Sequence, residues 1–254
     1  MDEMQQALFA AGGVTVTCFS APCLMGAMES AYELRECTEL YIGSQETSGY
    51  LWWIGTMENI THLLYSNPAV DLSTLGKNII HYMKLNIWHK LNTKMFRHSV
   101  LRSLPFFTMS VVDTAGMEPL ADALDEFAQA IIQRYQHNRF SRVIERIRQR
   151  CDSVPYASKT FDSSIDVYDF SKKCRQGFWY DLILRIKAKQ VMNALEDVII
   201  ARANGPLHWR AHGLSLYFPH PSFYNTTYAS CGLDFTQNTH WDEFLQLHST
   251  ESYN

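Results

Sequence analysis

No apolar run in the 254 residues approaches the roughly 20 needed to span a bilayer, which argues against a membrane role. The N-terminal Met1-Asp-Glu-Met-Gln-Gln lacks the basic and apolar stretches that open a signal peptide. A basic excess is missing too. Net charge is −4, so no bulk field favours nucleic acid. The six cysteines, Cys18, Cys23, Cys37, Cys151, Cys174 and Cys231, include no Cys-x-x-Cys, which excludes a disulfide scaffold and a structural zinc site as first readings. Repeats and low-complexity segments are also absent. What is present is 46% hydrophobic and 19% charged residues, enough for a sizeable core.

The chain is organised around Val14 to Leu34, which reads as strand, sharp loop and helix. Val14–Phe19 is rich in β-branched residues and follows Gly12-Gly13, as a buried strand would. Pro22 interrupts regular structure and Cys23 sits at the turn. Leu24, Met28, Ala31 and Leu34 then fall at helical spacing. A cysteine between a strand end and a helix N-terminus is placed for nucleophilic chemistry, because the helix dipole favours the thiolate. The bland alternative is a buried, inert cysteine.

Further on, a strand over 39–44 follows, then a loop with Trp52 and Trp53. Helices are expected over 56–66 and from Asp71, where Leu72, Leu75, Ile79, Met83 and Ile87 recur at steps of three and four. Phe106–Val112 reads as a strand, and Leu120 to Tyr135 as the inner face of a helix. The arginines over 139–150 read as a solvated helix face. Residues 181–203 read as one long helix ended by Asn204-Gly205-Pro206, and 211–219 as a strand.

These segments resemble the clostripain family of cysteine peptidases. Cys23-Leu-Met-Gly, Glu29-Ser-Ala-Tyr-Glu-Leu34 and Tyr41-Ile-Gly-Ser-Gln-Glu46 match its nucleophile segment, the helix after it and the next strand end. Thr108 to Asp113, Asp166 with Asp169 and Phe170, Gly213-Leu-Ser-Leu-Tyr-Phe-Pro219 and Trp241-Asp-Glu-Phe-Leu245 follow in the family's order. The resemblance implies a caspase-like α/β sandwich: a mainly parallel sheet with helices on both faces. It covers residues 1–247 as a C-terminal, heavy-chain portion lacking the family's N-terminal strands, and leaves 248–254 as a polar tail.

The implied activity is an endopeptidase with Cys23 as nucleophile, needing no cofactor or metal, acting on peptide or protein substrates, and secreted in the family. Its catalytic histidine lies upstream of the cysteine, whereas all ten histidines here lie downstream of Cys23. The resemblance therefore implies a light chain that supplies it. The family's aspartate for a basic P1 side chain is replaced by Ser20 or Ala21, which leaves Glu46 as the nearest acid. Trp52 matches a cleft-shaping tryptophan. His212 is the best substitute base within the chain, although a structural histidine fits it as well. Two further readings stand beside the peptidase. One is a non-catalytic relative that binds peptides or a partner chain. The other is a metal site from His208, His212 and His220, which lacks a zincin's glutamate.

Overall fold

The computed structural model describes residues 2–18, 23–46, 48, 52–135, 138–155 and 162–251. Helix α1 (Asp2–Ala10) leads through Gly12-Gly13 into β1 (Val14–Cys18). After α2 (Met28–Glu33) comes β2 (Thr38–Gly43), parallel to β1, with Val14 opposite Thr38 and Cys18 opposite Ile42. Helices α3 (Thr56–Ser66), α4 (Leu72–Asn92) and α5 (Lys94–Ser103) precede β3 (Thr108–Asp113), which is antiparallel to β2. Helices α6 (Met117–Ile132) and α7 (Asn138–Arg148) follow.

A second, three-stranded sheet is built from β4 (Ser153–Pro155), β5 (Asp162–Asp166) and a strand further on. Between them lie α8 (Val167–Gly177), α9 (Leu182–Val198) and β6 (Ile199–Asn204). That later strand is β7 (Ser215–Tyr217), and the described chain ends in α10 (Asp234–Asn238) and α11 (Trp241–Glu251).

The main sheet runs β1-β2-β3-β6. β6 is antiparallel to β3, so β1, β2 and β6 point one way and β3 alone is reversed. The sheet is thus mixed α/β with three of its four strands sharing a direction. Alternation along the strands divides the core. Leu40 and Ile42 of β2, with Val111 of β3, bury themselves against α3 and α4. Tyr41 and Val112, their immediate neighbours, join the opposite cluster with α2, α6, α8, α9 and α11.

Several boundaries differ from the sequence reading: the strand expected over 211–219 is confined to Ser215–Tyr217, and two helix ends move further. The long helix expected to residue 203 ends at Val198, and Ile199–Asn204 becomes the sheet's last strand, pairing with β3 from Thr108↔Asn204 to Val112↔Ile199. Leu195 and Ile199 keep helical spacing across the junction, yet the run Val198-Ile-Ile favours extended chain once a strand edge is on offer. The helix expected from Leu24 begins only at Met28, because Ala27 is already bridged to Ser215.

β1 closes the sheet on one side, and among the described residues only β2 is hydrogen-bonded to it. An open strand edge templates association. The chain expressed alone is therefore expected to self-associate at micromolar concentration. A monodisperse monomer by light scattering would count against this.

Candidate active site

The reversal of β3 decides what gathers at one edge of the sheet. The C-terminal ends of β1, β2 and β6 meet the N-terminal end of β3, and open α/β sheets place their ligands at such an edge. Cys23 emerges here, five residues beyond the end of β1. Ser44, Gln45, Glu46 and Ser48 follow β2. The turn Pro206–His208 follows β6.

Two glycines let the cysteine loop lie backbone to backbone on the end of β2. A Cβ on Gly26 would stand 2.7 Å from Gln45 N and Ser44 C, and one on Gly43 would stand 2.6 Å from Met25 O. In the space so kept, Gly26 N donates to Ser44 O at 2.8 Å and Leu24 N to Glu46 O at 3.3 Å. Leu24 pays for the sharp turn with a left-handed backbone, φ 59°, costing a residue with a Cβ about 1–2 kcal/mol. The far side of the loop meets β7, where Ser215 N donates to Gly26 O at 2.8 Å. Cys23-Leu-Met-Gly and Gly213-Leu-Ser-Leu-Tyr-Phe-Pro are thus direct neighbours, although some 190 residues separate them in sequence.

Cys23 is part-exposed, and its sulfur engages the backbone of Ser48: Ser48 N donates to Sγ at 3.0 Å, and Sγ lies 3.1 Å from Ser48 O. The sequence reading drew its backbone donor from a helix starting near Leu24. The donor comes instead from the loop after β2, since α2 is a short helix that starts five residues past Cys23. Among the described residues no histidine is hydrogen-bonded to Cys23. Ser48 Oγ and Gln45 Oε1 are buried and find no partner among the described residues.

Beside this loop lies a buried ionic cluster. His208 Nδ1 is 2.7 Å from Asp152 Oδ1, and its Nε2 is 3.5 Å from Glu46 Oε2. Burial alone would favour the neutral ring, but the hydrogen bonds to Asp152 and then Glu46 outweigh it and push the His208 pKa up to about 9. Gln45 Nε2 donates at 2.9 Å to Asp166, which also caps α8 by accepting from Asp169 N at 2.8 Å. His212 N donates to the same carboxylate at 2.6 Å, and the His212 ring stacks on Tyr168 with centroids 3.9 Å apart.

The residues singled out from sequence fare differently. Cys23 is at the sheet edge as expected. Ser20 and Ala21 lie outside the described residues. Glu46 is close to Cys23 in the chain trace but 4% exposed, with its carboxylate turned to His208. Trp52 is a core residue: it is 2% exposed and packs on Phe107 at 5.1 Å, while its carbonyl accepts from Thr56 and Asn86. Its ring is buried in the cluster that holds Met83 and Ile87 of α4.

His208, His212 and His220 take separate tasks, the last accepting from Ser222 N at 3.2 Å. Among the described residues no cluster of three His, Cys, Asp or Glu suits a metal. The matched helix carboxylates are anchors: Glu29 accepts from Tyr217 N and Tyr228 Oη, both at 2.9 Å, and Glu33 from Phe235 N at 3.2 Å. Ser48 and Asp152 are not marked in the sequence, and His208 enters there only as a candidate metal ligand, whereas the structure pairs it with Asp152 and Glu46.

The arrangement predicts unequal thiols. Burial pushes Cys18 up to about 12 and also raises Cys37, Cys151 and Cys174. Each pKa unit costs about tenfold in thiolate. Iodoacetamide near neutral pH, read by mass spectrometry, is expected to label Cys23 about a hundredfold faster than Cys18. Cys231, which is exposed, is the competing site. Equal labelling of Cys23 and Cys18 would remove the local support for a nucleophile.

The family model of the Clostripain family matches residues 1–247. A B. fragilis cysteine protease shares the fold with a TM-score of 0.62 at 15% identity, covering 94% of this chain and 92% of that one. A clostripain from Bacteroides thetaiotaomicron, solved in complex with a peptide inhibitor, gives 0.59 at 15%, over 93% of this chain and 92% of that one. An inactive zymogen C11 protease from Parabacteroides distasonis gives 0.50 at 13%, over 85% of this chain and 56% of that one. No curated protein sequence matches the chain.

Proposed function

The chain belongs to the clostripain family of cysteine proteases, and from that premise we propose that it serves peptide-bond hydrolysis through Cys23. The observation that carries the reading is the cysteine itself: part-exposed at the sheet edge, beside a strained Leu24, with Ser48 N at 3.0 Å from its sulfur. Sγ attacks the peptide carbonyl carbon, and the carbonyl electrons move to oxygen. Expulsion of the amine leaves an acyl-enzyme, and water releases the acid and restores the thiol. Strained backbone at a reacting residue is a common mark of such sites.

A base must take the thiol proton and deliver it to the leaving amine. With no histidine on Cys23 among the described residues, we assign that role to a segment docking along the open edge of β1, as a light chain would in a caspase-like sandwich. The uncharged Ser20 and Ala21, and a Glu46 held by His208, speak against a strong preference for basic P1 side chains.

The chain alone is accordingly expected not to turn over a Bz-Arg amide at a useful rate. It is expected to capture an acyloxymethyl ketone peptide covalently and slowly at Cys23, and Cys23→Ala should abolish the adduct. Turnover that vanishes in Cys23→Ala would overturn the missing-base reading while keeping the nucleophile. The absence of a base on Cys23 among the described residues also favours a second reading, a non-catalytic peptide binder. Reversible peptide binding unchanged by Cys23→Ala, with no adduct, would establish it in place of the peptidase.

A further inference from the structure

The turn between α8 and α9 has no part in the site at the sheet edge, yet it is built with care. Phe178 points inward, 1% exposed, and stacks on Phe140 with centroids 4.6 Å apart. Asp181 caps α9 by accepting from Leu184 N at 3.0 Å and pairs with Arg134. Pinned at 178 and 181, the chain between them has to project outward. What it projects is Trp179 and Tyr180, in edge-to-face contact at 5.8 Å. Leu182, Ile183 and Ile186 continue the surface along the first turns of α9.

These five side chains are between 47 and 72% exposed. Nothing in the core requires them, and single-residue exposure does not account for five within eight positions. Such exposure also means a convex corner, since residues lining a groove shade one another.

Charge decides the occupant. From Lys172 to Lys189 there are six cations, Lys172, Lys173, Arg175, Arg185, Lys187 and Lys189, against one acid, Asp181, in a chain whose net charge is −4. Lys173 is committed to Asp169 and Lys187 to Glu126. Arg185 stands at the corner itself, its Nη1 donating to Trp179 O at 3.3 Å, and Lys189 forms no ion pair among the described residues; Lys172 lines a separate pocket with Trp209, Arg210 and His212. Lys189 is exposed on the helix face that carries Ile186, one turn on. A rigid convex tip of Trp, Tyr, Leu and Ile, backed by cations, matches a lipid interface: the aromatic rings sit at headgroup level and the cations meet anionic headgroups.

The geometry points to an anionic lipid surface as the partner of the Trp179–Ile186 corner. This is surface attachment. Among the described residues no helix is long and apolar enough to cross a membrane, and the sequence reading, which looked for spanning runs, had no means of finding a patch assembled from exposed positions.

The test is co-sedimentation of the full chain with phosphatidylglycerol–phosphatidylcholine vesicles and with pure phosphatidylcholine vesicles, alongside tryptophan emission. The expected result is binding to the anionic vesicles with a blue shift, weakened by salt. Arg185→Gln/Lys189→Gln should lower partitioning about 25-fold, at about fivefold per cation near the surface. Trp179→Ser/Ile183→Asp should abolish it with circular dichroism unchanged, as expected for exposed positions.

Three outcomes overturn the proposal. The first is no binding to either vesicle. The second is binding that the tip variant leaves intact. The third is a failure to bind vesicles combined with another ligand of the corner: a dimer by light scattering that Trp179→Ser/Ile183→Asp dissolves assigns it to a second copy, and polyglutamate binding that Arg185→Gln/Lys189→Gln loses assigns it to an acidic protein.

Discussion

Replacing His208 by Ala is expected to destabilise the fold by about 3–5 kcal/mol at neutral pH, because it leaves two carboxylates buried without their cation. Asp152 Oδ1 stands 2.7 Å from Nδ1 and Glu46 Oε2 3.5 Å from Nε2, and all three residues are shielded from water. The native pKa of about 9 lies above the ordinary histidine value of 6.5. The folded state therefore holds its proton more tightly than the unfolded state. That contribution is fully present below pH 6.5 and is lost as pH rises through 9. Its full size is about 3 kcal/mol, at about 1.4 kcal/mol per unit. Urea unfolding of the parent chain should show stability falling across this window, and His208→Gln should flatten that fall. A cost below about 1 kcal/mol for His208→Ala, or an unchanged profile in His208→Gln, would mean that the cluster is not ionic.

The cluster also bears on Cys23. Glu46 holds the loop at three points: its carboxylate meets His208, its N–H donates to Thr108 Oγ1 at 3.0 Å, and its carbonyl accepts from Leu24 N. Ser48, two residues on, supplies the donor to the sulfur. Ser44 Oγ, which bonds Thr108 Oγ1 at 3.0 Å and the Glu46 carbonyl at 2.8 Å, ties the same loop to the start of β3. The site is in this sense a property of the sheet edge and its polar ties, with Cys23 part-exposed above buried Glu46 and Ser48.

That division explains what could be read in advance. Local pattern was sufficient for β1, β2 and α4, since alternation and helical periodicity are written within a dozen residues. It failed at Val198, where the helical period continues into residues that the edge of β3 draws into a strand. It failed again at Cys23-Leu-Met-Gly, where helical spacing is met by a loop locked to β2. Cys23 stands out in the sequence by its place between strand and helix patterns and by the family match of Cys23-Leu-Met-Gly, whereas its surroundings do not. Asp152 and His208 are 56 residues apart and Glu46 and His208 are 162 apart, and their pairing exists only after three strands have set one edge. Glu46 was found for its charge and then assigned outward to a substrate, whereas burial turned it inward. Trp52 carries a cleft role only through the family resemblance, beside the alternative that Trp52 and Trp53 pack the loop onto the core, and Trp52 is 2% exposed.

Gly26→Ala is expected to silence Cys23 without removing any reactive atom. The new Cβ would stand 2.7 Å from both Ser44 C and Gln45 N, backbone atoms with no rotamer to change. Relief needs the cysteine loop to lift off the end of β2. That movement breaks Gly26 N to Ser44 O at 2.8 Å, Leu24 N to Glu46 O at 3.3 Å and, across the loop, Ser215 N to Gly26 O at 2.8 Å. Overpacking of this kind costs about 1–3 kcal/mol, so the domain should remain folded where its total stability is that of an ordinary domain. The sulfur, however, loses its register with Ser48 N, set at 3.0 Å. A displacement of about 1 Å costs about a hundredfold in reactions that depend on placement. Capture of an acyloxymethyl ketone peptide at Cys23 should fall by that order. Cys231, exposed just after the turn Thr226–Ser230, should alkylate as before and report that the protein is intact. Leu24→Gly is the converse change, relieving the backbone at φ 59° while keeping the contact of Gly26 with β2. It should raise stability by up to about 1 kcal/mol. Wild-type capture in Gly26→Ala would mean that the close approach of Gly26 to the end of β2 does not hold Cys23, and that the loop finds its place by other contacts.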